Sequence, residues 1–71
     1  MTRVDFIEFL RGFRQEQTSW HNETLEDFLE AMEAYTQDIQ GFYDNQNLNI
    51  DANKPTWENF KAILQGASLY E

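Results

Sequence analysis

The chain has 71 residues, thirteen acidic against five basic for a net charge of −8, a 15% aromatic share and no cysteine. That length suits one domain over residues 1–71 with no room for a separate catalytic unit. The charge repels nucleic-acid phosphates and anionic membrane surfaces, and the lack of cysteine removes disulfides and thiolate metal sites. No basic stretch leading into an apolar one opens the sequence, and no apolar run approaches the roughly 20 residues needed to cross a bilayer, so the expected location is the cytoplasm.

The first element starts at Thr2, Asp5, Phe6 and Leu10, a spacing that returns at Thr24, Asp27, Phe28 and Met32 and at Thr56, Asn59, Phe60 and Leu64. Each set predicts a helix start. The threonine hydroxyl at the N-cap accepts the N3 amide proton, while the N3 side chain reaches back to the N-cap amide. The threonines are 22 and 32 residues apart, so the likeness is one of helix-start chemistry and not a tandem repeat. At about 100° per residue, helix 1, from Arg3 to about Gln17, gathers Phe6, Ile7, Phe9, Leu10 and Phe13 on one side and leaves Asp5, Glu8, Arg11 and Gln15 elsewhere. A short polar link, Thr18 to Glu23, carries Trp20.

Helix 2, from Leu25 to about Phe42, places Leu25, Phe28, Leu29, Met32, Tyr35, Ile39 and Phe42 in an arc of about 140°, with Glu26, Asp27, Glu30, Glu33 and Asp38 outside it. Gly41 offers an early left-handed C-cap, although the apolar phase runs on to Phe42. The link from Asp44 to Lys54, rich in Asn and Asp, is expected to be mobile. Pro55 ends that link, and helix 3, from Trp57 to Tyr70, puts Trp57, Phe60, Ile63, Leu64, Ala67 and Tyr70 on a broad face with Ala62 and Leu69 off it. No strand signal competes. The expected fold class is all-α, either a small three-helix bundle or a helical hairpin plus a crossing helix.

Few residues point to chemistry. His21 is the single histidine, and a relay through it would need Glu23 or Glu26 without an evident Ser or Cys nucleophile. Gly12, Gly41 and Gly66 are isolated within helical stretches and build no phosphate loop. Asn47, Asn49, Asp51, Asn53 and Glu58 imitate the spacing of a calcium loop, but Ala52 stands where that loop needs glycine, so they are read as turn formers. Glu26, Glu30 and Glu33 lie along one side of helix 2 at spacings of three and four, where like charges repel. As a solvated face they need no explanation; as a binding face they suit a basic partner. Trp20, Tyr35, Phe42, Tyr43, Trp57 and Tyr70 are expected in the core, and rings left uncovered by so short a chain would be buried in a homodimer.

Two blocks carry a resemblance. Trp20, Asn22, Thr24, Leu25, Asp27, Phe28, Leu29, Glu30 and Ala31, continued by Asp38, Gly41 and Tyr43, precede Pro55, Trp57, Phe60, Leu64, Ala67, Tyr70 and Glu71. Over about residues 20–71 the chain resembles a bacterial family catalogued as a domain of unknown function. That family carries a W-x-N-x-T-L-x-x-F-L-E-A block, a D-x-x-G-(F/Y)-Y block and a closing P-x-W-x-x-F-x-x-x-L-x-x-A-x-x-Y-E. The resemblance implies a short helical bacterial protein with no activity, cofactor or catalytic residue to carry over, and a structural role for Tyr70 and Glu71.

The sequence thus leads to a non-enzymatic, cofactor-free protein-binding or adaptor module. It acts through the acidic face at Glu26, Glu30 and Glu33 or through a homodimer surface, with an immunity- or antitoxin-like inhibitor of a basic toxin as the sharper version. The rival expectation is a small-molecule or metal-binding protein that uses His21 and nearby carboxylates.

Overall fold

The computed structural model describes residues 1–15 and 24–69. These form three helices, α1 (Arg3–Gln15), α2 (Leu25–Asn45) and α3 (Trp57–Leu69), and contain no strand among the described residues. Trp20, His21, Glu23, Tyr70 and Glu71 lie outside them.

All three helices start as the threonine spacing predicts. The amides of Asp5, Asp27 and Asn59 donate to the hydroxyls of Thr2, Thr24 and Thr56 at 3.2, 3.0 and 3.1 Å. At α1 the reciprocal bond is also made, from the Thr2 amide to the Asp5 carboxylate at 2.9 Å. The phenylalanine after each N3 position closes the first turn, its amide donating to the threonine carbonyl.

Helix α2 passes through Gly41 and ends four residues later. Asn47 takes the left-handed conformation (φ 58°). Its amide donates to the Asp44 carbonyl and that of Leu48 to the Tyr43 carbonyl, a Schellman cap with Asn in the place more often held by Gly.

Helices α2 and α3 form an antiparallel hairpin: Tyr43, near the end of α2, meets Asn59 at the start of α3, and Tyr35 farther back lies over Gly66. Helix α1 rests on the first turns of α3 and barely meets α2, so the arrangement is a hairpin plus a third helix and not a bundle with three shared faces. The Phe6 ring lies 5.3 Å from that of Trp57 and 6.5 Å from that of Phe60, and the Lys61 ammonium stands over Phe9.

Burial departs from the sequence expectation. The buried apolar residues are Ala31, Ile39, Tyr43 and Ala67, and α1 contributes none. Phe42, Trp57 and Phe60 reach the surface, and Phe6, Phe9, Phe13, Phe28 and Tyr35 are half-buried. The cause is the size of the partner surface. Helical periodicity identifies an apolar side, but a thirteen-residue α3 covers only part of each neighbour.

The link after α2 is tied down and not loose as expected. Gln40 Nε2 donates to the Ile50 carbonyl, and the Ala52 amide donates to Gln40 Oε1 at 2.8 Å. The Asn59 side chain, 2% exposed, donates to the carbonyls of Asp51 and Lys54 and accepts from the Tyr43 hydroxyl at 2.8 Å. All the bonds an amide side chain needs in a dry site are therefore made but one.

Candidate protein-binding face

The N-terminal half of α2 carries the acidic stripe. Thr24 caps the helix, and Glu26 and Asp27 in its first turn suit the positive end of the helix dipole. From there Glu26, Glu30 and Glu33 follow one side of the helix, all exposed, and no Lys, Arg or His occurs anywhere in α2.

Helical periodicity puts Leu25 and Leu29 on the apolar side of α2. The structure leaves them 73% and 52% exposed. At 100° per residue Leu29 stands between the direction of the buried Tyr43 and the carboxylates of Glu26 and Glu33, and Leu25 shares the direction of Tyr43 at the opposite end of the helix. An exposed leucine pair about one turn apart thus lies beside an acidic strip about two turns long. Sequence reasoning found the carboxylates and missed the leucines, because nothing local distinguishes a leucine that has a partner from one that lacks it.

A second exposed face belongs to α1. Phe6 and Phe9 turn toward α3, while Val4, Ile7 and Leu10 are 57%, 45% and 39% exposed. Ile7, Leu10, Arg11 and Arg14, spaced i, i+3, i+4 and i+7, line a shallow hollow of about 360 Å³. Arg3 falls on the same side, so three of the five basic residues of the chain gather there.

The titratable groups with displaced pKa values make structural contacts. The Asp5 carboxyl is held below the usual range by the amide and hydroxyl of Thr2. Glu58 is held low by its 2.7 Å ion pair with the terminal ammonium of Met1, which is raised in turn. Burial pushes the phenols of Tyr35 and Tyr43 up, keeping the Tyr43 hydroxyl protonated as the donor to Asn59.

The residues of the calcium-like spacing are used otherwise: Asn47 caps α2, the Asp51 carboxylate accepts from the Asn53 amide, and Glu58 pairs with Met1. Among the described residues no group of three or more His, Cys, Asp or Glu converges to hold a metal ion, and no helix is long and apolar enough to cross a membrane. The site imagined around His21 and Glu23 lies outside the described residues.

Neither a curated protein nor a solved structure matches the chain. A family model does, over residues 2–71, which takes in all three helices and both exposed faces. The chain belongs to that family, a family of unknown function (DUF7660).

Proposed function

We propose that the protein is a binding module that acts by contact and not by catalysis, and that its recognition face is the N-terminal half of α2. One observation carries this reading: Leu25 and Leu29 stand in solvent directly beside Glu26, Glu30 and Glu33. Exposed leucines favour burial at about 25 cal/mol per Å² of apolar surface, and the adjoining carboxylates select what buries them. The ligand that fits is a cationic amphipathic helix, with an apolar ridge for the leucines and Arg or Lys beside it.

Affinity capture from the host with the tagged chain, run beside the triple variant E26Q/E30Q/E33Q, tests the reading. The expected result is a protein partner retained by the parent chain, released as salt rises and lost with the variant. Equal retention by both chains overturns it.

A further inference from the structure

We infer that the cationic helix seated on this face is α1 of a second copy of the same chain. Val4, Ile7 and Leu10 of one copy cover Leu25 and Leu29 of the other, and Arg11 and Arg14 stand opposite Glu26, Glu30 and Glu33. The inference rests on the reading of α2 as a recognition face and names its partner.

Three observations support it. Among the described residues both faces are exposed, and the contacts of α1 and α2 are made chiefly with α3. Among the described residues no ion pair engages Arg11, Arg14, Glu26, Glu30 or Glu33. The two faces also match in chemistry: α1 presents aliphatics beside arginines, and α2 presents aliphatics beside glutamates at the same three- and four-residue spacings.

Pairing α1 with α2 of the other copy and α2 with α1 in return closes a twofold dimer and leaves neither face open.

The test is the mass of the full chain in solution, by sedimentation equilibrium across a concentration series in low and high salt. Twice the 8.5 kDa of one chain is expected in low salt, with dissociation as salt is added. Two charge-reversed chains, R11E/R14E and E26K/E30K/E33K, alter exposed side chains and keep the helical circular dichroism of the parent. Each should dimerise at least about tenfold more weakly alone, and an equimolar mixture should recover the parent mass, because the swapped charges face each other again across both contacts.

A parent chain that stays monomeric overturns the second-copy inference but leaves the recognition face standing if the capture experiment still depends on Glu26, Glu30 and Glu33. A dimer that neither variant weakens, a mixture that does not recover the parent mass, or open-ended growth overturns the assignment of the faces.

Discussion

The two sides of α3 are held by different kinds of contact. Toward α2 the contacts are directional and shape-specific. Asn59 makes three side-chain hydrogen bonds in a nearly dry site, Gln40 grips the link, and the Tyr35 ring lies so close to Gly66 that a Cβ there would overlap it. Toward α1 the contacts are tilted rings, one cation over a ring and a terminal ion pair, and no residue of α1 is buried. Directional contacts fix one arrangement; ring surfaces tolerate many. The hairpin is the rigid half, and α1 is the element whose local opening takes the least free energy.

The largest blow to that contrast is Asn59→Ala. It strands the Tyr43 hydroxyl and two link carbonyls and opens a cavity, a combined loss of about 3 kcal/mol or more. In a chain of this size each kcal/mol lowers the melting temperature by about 4–8 °C, so a fall of 12 °C or more is expected by circular dichroism. A fall of only a few degrees would remove the hairpin's claim to be the rigid half.

A glycine series sharpens the comparison by sign. In an open helix Gly→Ala stabilises by up to about 1 kcal/mol. A Cβ at Gly12 on α1 or at Gly41 on α2 meets nothing within 4 Å, so both substitutions should raise stability by about 0.5–1 kcal/mol. At Gly66 the Cβ must displace the Tyr35 ring, which is stacked on Phe42 at 5.1 Å, and overpacking of about 1–3 kcal/mol outweighs the gain. Chemical denaturation of the three variants should place Gly66→Ala below the parent and the other two above it. Stabilisation by Gly66→Ala would mean that the helices do not approach closely there.

What was readable in advance follows the range of each interaction. The threonine caps act over three residues, and all three are found at the expected positions. The end of α2 was less legible: Gly41 advertised a C-cap, whereas Asn47 supplies it, since an asparagine within an Asn-rich run gives little sign of which one turns left-handed. The threonine spacing marks Asn59 as a capping residue, but the partners of its side chain, Tyr43, Asp51 and Lys54, lie up to sixteen residues away, beyond any local pattern. The same limit governs the candidate site. Glu26, Glu30 and Glu33 stand out from their spacing, but that Leu25, Leu29, Ile7 and Leu10 stay exposed depends on how far the short α3 extends, a property of the assembled hairpin.

The smallest effect belongs to the looser side. Thr2→Ala removes the hydroxyl that accepts the Asp5 amide at 3.2 Å, a cap loss of about 1 kcal/mol confined to α1. Amide exchange should quicken in α1 and stay unchanged across Tyr43 to Asn59; equal quickening in both would show one cooperative unit in place of two. Acid should single out the same helix. Asp5 and Glu58 both have carboxyls held below their ordinary values by partners at its N-terminus, Thr2 and the Met1 ammonium. Their stabilisation is fully present above the ordinary carboxylate range and is lost as pH falls through the lowered folded values. The Met1 ammonium, raised above 8.0, adds stabilisation that is complete below that pH and fades as pH climbs through the raised value. Protection of α1 should therefore peak between the two limits, while the Asn59 bonds, made by groups that stay neutral across this range, hold the hairpin protected at both ends.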